Sequence, residues 1–258
     1  MLATNCSHDI LVSTGSDRSV KVWDMSTGDF ICHALLEAEA TGIVFSDFNP
    51  NLLAVAIAKT KSILTFDFRD RELRLLSKVI STSELSSLLV LRGPLLYGTQ
   101  TPSLCHDSSE LPCISTPLSA LYTSSQDLLT GHQDGSLCIW RLPSTLLKRV
   151  SLSLYPVHCL LRQPGKHLVL TSQQLYHLDP KTLDVRHACE LGIEIQSDRA
   201  RLSQRQLVAP SGSSVVAFEV ENGEPVGMVE GQEVFADAVW SGFGLAAIDT
   251  RGMLTFWN

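Results

Sequence analysis

The chain has 258 residues, 44% of them hydrophobic, and a formal net charge of −7. That length accommodates one large domain or two small ones with a sizeable core. The acidic balance excludes bulk electrostatic binding to nucleic acid or to an anionic membrane, although not a local basic patch. The seven cysteines (Cys6, Cys32, Cys105, Cys113, Cys138, Cys159, Cys189) are scattered and odd in number, with no CxxC pair. Free thiols in a reducing compartment are expected, and no zinc-type cluster. No apolar run is long enough to span a bilayer. Met1-Leu2-Ala3-Thr4 has neither the basic start nor the apolar stretch of a secretion signal. The expected location is therefore cytoplasmic or nuclear, not secreted, and the sequon Asn5-Cys6-Ser7 is expected to go unused.

Taken in chain order, short β-type runs alternate with polar turns. ILVSTG (10–15) leads to SVKVWD (19–24) and then to DFICHAL (29–35). GIVFSDF (42–48), LLAVAI (52–57), SILTFD (62–67) and ELRLLS (72–77) follow in the same order. Next come LSSLLVL (85–91), LLYGT (95–99) and PSLCHD (102–107). The pattern resumes with PLSALYT (117–123), DLLTG (127–131), SLCIWR (136–141) and LLKRVSL (146–152). It continues through VHCLLR (157–162), HLVLTS (167–172), QLYHLD (174–179) and LDVRHACEL (183–191). The last runs are QLVAP (206–210), SVVAFE (214–219), EPVGMVE (224–230), EVFADAVW (233–240), GLAAI (244–248) and MLTFWN (253–258). Runs this short, punctuated by turns, read as strands, and no long 3.6-residue stripe with caps predicts a helix.

One run type recurs with an aromatic or equivalent residue next to its end: Trp23, Phe66, His106, Trp140, Leu178, Phe218 and Trp257. The successive intervals are 43, 40, 34, 38, 40 and 39 residues, a mean of 39. That matches the period of a four-stranded propeller blade, whereas two separate sandwiches would not carry one period through the whole length. Seven repeats over 1–37, 38–80, 81–116, 117–152, 153–191, 192–231 and 232–258 predict a single all-β domain, a seven-bladed propeller.

Two repeats carry more than a period. Ser13, Asp17 and Trp23 share their spacing with Thr130, Asp134 and Trp140. A buried indole N–H must find an acceptor, and a hydroxyl linked to a turn Asp is expected to supply it. In this the chain resembles WD40-repeat proteins, whose structural signature is this Ser/Thr–Asp–Trp set. The remaining repeats depart from it. Phe66 and Phe218 replace Trp, and the last repeat keeps Trp257 but has Ala247 for the hydroxyl and Arg251 for the Asp. The His that the family places before a blade's first strand has no counterpart ahead of Pro117, where CISTPL stands. The last repeat reaches Asn258 within its third strand, so its outer strand is expected to be missing. A shortened chain, a blade that manages with three strands, and a partner strand docked by β-augmentation each account for that.

No GxSxG elbow, HExxH or P-loop is present, and no enzyme activity is expected. His132 is expected as a turn residue at the ring face, and His106 as a satisfied, semi-buried strand residue. His158 and Cys159 are adjacent on a strand, so they point to opposite faces and cannot form a nucleophile pair. In the resemblance, the turns between second and third strands share one end of the ring. Arg251, Arg18, Lys59 and Lys61 then form a basic arc across the last, first and second blades. Such an arc suits an acidic or phosphorylated peptide, or a phosphate backbone. The plain alternative is four solvated charges. A second basic segment, 199–205, is expected as an exposed turn, and 99–117 as an irregular edge or a loop regulated at Ser108 and Ser109. Phe66-Asp67-Phe68-Arg69 is similar to the box through which some WD40 proteins attach to cullin-type ubiquitin ligases, without its Trp.

The resemblance implies a non-catalytic interaction scaffold within a larger complex, with protein or peptide partners, no membrane and no cofactor. The chain is expected as a monomer in that complex. A nucleic-acid-associated subunit using the basic arc is the alternative, and a ubiquitin-ligase substrate receptor a lesser one.

Overall fold

The computed structural model describes all residues except 6, 8, 47, 48, 58, 92–94, 107, 108, 125, 164, 194, 196–199, 204, 205, 242, 243 and 258. For residues 86, 88–91, 201–203, 240 and 241 the backbone alone is described. Everything regular in it is strand.

Seven antiparallel meanders follow one another. Blade 1 holds β1 (Leu2–Thr4), β2 (Ile10–Thr14), β3 (Ser19–Asp24) and β4 (Phe30–Leu35). Blade 2 holds β5 (Gly42–Phe45), β6 (Leu52–Ile57), β7 (Ser62–Arg69) and β8 (Glu72–Ile80). Blade 3 holds β9 (Leu85–Leu91), β10 (Leu95–Thr99), β11 (Ser103–His106) and β12 (Ser109–Pro112). Blade 4 holds β13 (Pro117–Tyr122), β14 (Asp127–His132), β15 (Ser136–Arg141) and β16 (Thr145–Ser151). Blade 5 holds β17 (Val157–Gln163), β18 (Lys166–Thr171), β19 (Gln174–Leu178) and β20 (Val185–Glu190). Blade 6 holds β21 (Arg201–Ser203), β22 (Gln206–Ser211), β23 (Ser214–Glu219) and β24 (Pro225–Glu230). Blade 7 has three strands, β25 (Phe235–Ser241), β26 (Gly244–Asp249) and β27 (Leu254–Trp257).

The second strand of each blade explains how the blades stack. Successive side chains on a strand point to opposite faces, so adjacent apolar residues enter two different cores. Val12 packs toward blade 2 and Leu11 toward blade 7. Leu53 and Ala54, Leu128 and Leu129, Leu168 and Val169, Leu207 and Val208, and Leu245 and Ala246 divide in the same way. These strands are buried on both faces, which is why they read as continuous apolar runs. The outer strands, such as β16 and β24, are mostly exposed.

The ring closes through packing of blade 7 on blade 1. Leu2, Leu11 and Met25 meet Val239, Ala246 and Ile248 there. Leu2 N donates to Asp237 Oδ2 at 2.7 Å across that junction.

Two expectations change. The 199–205 segment is not an exposed turn: residues 201–203 form β21, the first strand of blade 6, beside fully buried Ala200. A blade needs an inner strand, and the polar residues there disguised it. Arg199 and Arg205 lie outside the described residues. The 99–117 segment does hold an outer strand, because β12 pairs with β11 from Ser103↔Pro112 to His106↔Ser109. Ser109 is therefore in a strand, and Ser108 lies outside the described residues.

Candidate functional site

In each meander the second-to-third-strand turn lies at the same end as the connection to the next blade. That end is the connection end of the ring. In blades 1 and 4 those turns rest on the predicted indole sets. Trp23 Nε1 donates to Ser13 Oγ at 2.8 Å, and Trp140 Nε1 to Thr130 Oγ1 at 2.9 Å.

The two turn carboxylates do not touch these hydroxyls. Asp17 Oδ1 accepts from Ser19 N (3.2 Å) and Ser19 Oγ (2.8 Å), and Oδ2 pairs with Lys21 Nζ at 2.6 Å. Asp134 repeats this with Ser136 N (3.1 Å), Ser136 Oγ (2.6 Å) and Arg149 Nη2 (2.6 Å). The Lys21 bond, then Ser19, hold the Asp17 carboxyl below its usual value against the cost of burial. Burial likewise opposes ionisation of Asp134, but Ser136 and Arg149 outweigh it. The acids close their own turns and leave the hydroxyls to the indoles.

His132 is not an exposed turn residue. It ends β14 almost fully buried. Its Nε2 lies 2.8 Å from Thr130 Oγ1 and its Nδ1 2.8 Å from Ser115 O. It thus extends the Trp140–Thr130 pair into the 113–116 connection, from within its own strand rather than from the preceding segment. Burial holds its imidazole below the ordinary value, with the Ser115 carbonyl opposing. Gly135 seals the same turn. It has φ +75°, and a Cβ there would sit 2.1 Å from Ser153 O.

Blade 7 solves the turn differently. Asp249, two residues before the expected position, accepts from Arg251 N (2.9 Å) and Met253 N (2.8 Å). Ala247 offers no hydroxyl, and the Trp257 ring meets Phe235 edge-on at 6.0 Å.

The structure places the four arc residues in turns at the connection end of blades 7, 1 and 2. Their electrostatic states differ. Arg251 pairs with Asp249 (3.3 Å) and Glu233 (3.4 Å). Arg18, Lys59 and Lys61 have no ion pair among the described residues. Arg18 (φ 58°) and Lys61 (φ 51°) sit in the left-handed region, and Arg18 N is tied to Gly15 O. Exposed Glu37 and Glu39 share that end, in the connection between blades 1 and 2. Glu37 takes Lys78 at 2.5 Å.

Sequence reasoning missed exposed apolar residues at the same end, Val234 and Met253 at blade 7 among them. Ile114, between blades 3 and 4, is 72% exposed, and Leu154, between blades 4 and 5, is 96% exposed. Their signal was an Ile and a Leu inside Ser- and Pro-containing connections. A polar cavity of about 290 Å³, lined by Gln173, Gln174, Glu190, Gly192 and Ile193, opens beside blade 5.

The groups offered as chemistry have structural partners. His158 Nε2 lies 2.9 Å from Ser172 Oγ, whereas Cys159 Sγ donates to Ala200 O at 3.6 Å. His106 is half-buried, and its Nε2 has no hydrogen-bond partner among the described residues. Burial pushes the Cys113 thiol up to about 12 and Cys138 to about 11. The Arg69 guanidinium is held by Asp67 at 3.1 Å, between buried Phe66 and Phe68. Among the described residues no group of three His, Cys, Asp or Glu is arranged to hold a metal ion. No described helix is long and apolar enough to cross a membrane.

No protein-family model and no curated protein matches the sequence. The crystal structure of the β-propeller domain of Cps50 (Swd1) from Myceliophteria thermophila is similar in fold, with a TM-score of 0.80 at 17% identity. The match covers 99% of this chain and 95% of that one. With seven packed meanders and two indole–hydroxyl pairs, the chain folds as a seven-bladed β-propeller.

Proposed function

We propose that the chain is a non-catalytic interaction scaffold that holds a protein partner on the connection end of its ring. A propeller of this kind, similar in fold to a β-propeller domain of another protein, supports such a role by analogy. The observation that carries the reading is the surface at that end. Arg18, Lys59 and Lys61 on blades 1 and 2, without an ion pair among the described residues, are followed around the ring by exposed Ile114 and Leu154. Buried apolar anchors and Arg dominate protein interfaces. Seven inter-blade cores fix those turns relative to one another, so a partner spanning several blades meets a preformed surface.

A protein partner with an apolar segment and an acidic or phosphorylated one fits this order better than a nucleic-acid backbone does. Glu37, Glu39 and Glu233 interrupt the positive arc, and a polyphosphate chain would meet them. The chain acts in this reading as one monomer of a hetero-complex.

Co-purification of the tagged chain tests it in three forms: wild type, Arg18, Lys59, Lys61 and Arg251 all changed to Glu, and Ile114→Glu with Leu154→Glu. Loss of the same partner from both variants, with thermal unfolding unchanged, is expected. Retention by both would reject the connection end. Retained RNA whose binding weakens steeply with salt would favour the nucleic-acid alternative.

A further inference from the structure

The polar cavity of about 290 Å³ on blade 5 lies at the connection end, between the turn into β19 and the connection to blade 6. Gln174 opens β19 directly opposite Glu190, the last residue of β20. Leu191 N bonds to Gln173 O, so the next pair, Gln174 and Glu190, is a non-hydrogen-bonded one, in which side chains lie closest. Tyr176 is on the same face of β19, two residues on. Its ring enters the core between blades 4 and 5, with Leu152 of the connection that carries Leu154 packed against that core. The cavity and Leu154 therefore flank one blade junction.

The backbone acceptors of this turn are already used. Ser172 O accepts from Ile195 N at 2.7 Å, Gln173 O from Leu191 N at 2.9 Å, and Gln174 O from Thr171 Oγ1 at 3.1 Å. The polar capacity left to the cavity is the Glu190 carboxylate and the Gln173 and Gln174 amides. Tyr176 Oη donates to Gln174 Oε1 and holds that amide in place. Glu190 is exposed, and the cations of the neighbouring strands are committed elsewhere. Arg149 pairs with Asp134 at 2.6 Å, Lys166 with Glu221 at 2.7 Å and Arg186 with Asp179, while Lys148 bonds to Thr182 O at 2.6 Å. Glu190 repels an anion, and an apolar side chain would strip water from these groups without replacing its bonds. A cation with several donors satisfies them.

We propose that this cavity receives the guanidinium of an arginine side chain of the partner held on the connection end, a step that rests on that reading of the function. The guanidinium pairs with the Glu190 carboxylate through two parallel N–H donors. Its other donors reach the Gln173 amide oxygen and the second lone pair of Gln174 Oε1. Its weakly hydrated planar face lies on Ile193, the apolar wall. The volume suits one long side chain rather than a larger ligand. The connection end then carries both signs of charge. Arg18, Lys59 and Lys61 take an acidic segment and blade 5 a basic one, which fixes the partner's orientation on the ring.

The probe is N-acetyl-arginine methylamide, titrated into the full 258-residue chain by NMR beside its neutral citrulline analogue. The arginine compound is expected to saturate with a Kd of about 1–10 mM, shifting the amides of Gln174 and Gly192. The citrulline analogue should bind about tenfold more weakly or worse. Glu190→Gln keeps the shape of the site and should cost the arginine compound about tenfold with thermal unfolding unchanged. Gly192→Asn should weaken it too by occupying the cavity: Gly192 has φ +67°, nothing lies within 4 Å of where a Cβ would go, and Asn tolerates that backbone. No saturation, shifts confined to other residues, or equal binding of the citrulline analogue would overturn the site. Glu190→Gln is then carried into co-purification, where reduced retention of the partner is expected. Full retention by Glu190→Gln, with loss in Ile114→Glu with Leu154→Glu, would overturn the arginine contact and leave the connection-end reading standing. Retention by every variant would overturn both.

Discussion

The backbone N–H of Leu2 donates to the carboxylate of Asp237 at 2.7 Å, across 235 residues of chain. Oδ1 of the same carboxylate accepts from Ala238 N at 2.9 Å. One buried acid thus ties the innermost strands of the first and last blades, beside the packing of Leu2 and Leu11 on Val239 and Ala246. Asp237→Ala removes that acceptor from both amides, and each buried N–H left unsatisfied costs about 1–3 kcal/mol. Asp237→Ala is expected to destabilise by about 3 kcal/mol, and Asp237→Asn, which keeps a carbonyl acceptor, by less. Amide exchange should accelerate first in blades 1 and 7. Uniform acceleration around the ring would deny the bond a closing role.

Thr130 Oγ1 accepts from Trp140 Nε1 and lies within hydrogen-bond distance of His132 Nε2 and, at 3.4 Å, of Cys138 O. Thr130→Val is isosteric but leaves a buried indole N–H and an imidazole nitrogen without that hydroxyl. A loss of about 1–3 kcal/mol in urea unfolding is expected. Combining it with Trp140→Phe removes the orphaned indole N–H, so the double variant should lose less than the sum of the two singles. Strict additivity would show that the hydroxyl and the indole are not coupled.

Gly135 and Gly212 both have positive φ, +75° and +59°, but different surroundings. A Cβ at Gly212 meets nothing, whereas at Gly135 it would meet the Ser153 and Tyr155 carbonyls. Gly212→Ala should cost about 1 kcal/mol, the left-handed penalty alone. Gly135→Ala adds a backbone clash and should cost about 1–3 kcal/mol more. Equal melting shifts for the two variants would contradict the docking of this turn between the two connections.

His132, His167 and His177 all have imidazoles held below the ordinary value of 6.5, burial being the largest cause in each. The unfolded chain therefore takes up protons that the folded chain excludes. Stability from these groups is intact above pH 6.5 and falls as the pH drops through 6.5 toward the lowered folded values. The shifted Asp17, Asp134 and Asp179 start from 3.8 and act only in more acidic solution. Among the described residues neither ring nitrogen of His167 has a hydrogen-bond partner, so His167→Leu should flatten the melting-temperature profile between pH 7 and 5. An unchanged profile in that variant would assign the effect to the other two.

Most of the ring was legible because its signals are local. Continuous runs such as LLAVAI and the recurrence from Trp23 to Trp257 need only strand periodicity and a constant blade length. β21 was hidden because three residues with two polar side chains carry no strand pattern, and only the ladder to β22 defines them. β12 was hidden by Pro and Ser. In the candidate site, positions in turns were legible but charge states were not. The carboxylates that hold Arg251 come from Asp249 and from Glu233 in the connection ahead of blade 7. The role of His132 depended on Ser115, 17 residues away, closing over its ring.

A partner held on the connection end covers the turns and connections there. Hydrogen–deuterium exchange of the purified chain, alone and in the complex that co-purifies with it, tests this most directly. New protection is expected in the second-to-third-strand turns of blades 1 and 2 and in the connections carrying Ile114 and Leu154. Protection confined to the opposite end, where the third-to-fourth-strand turns lie, would contradict it.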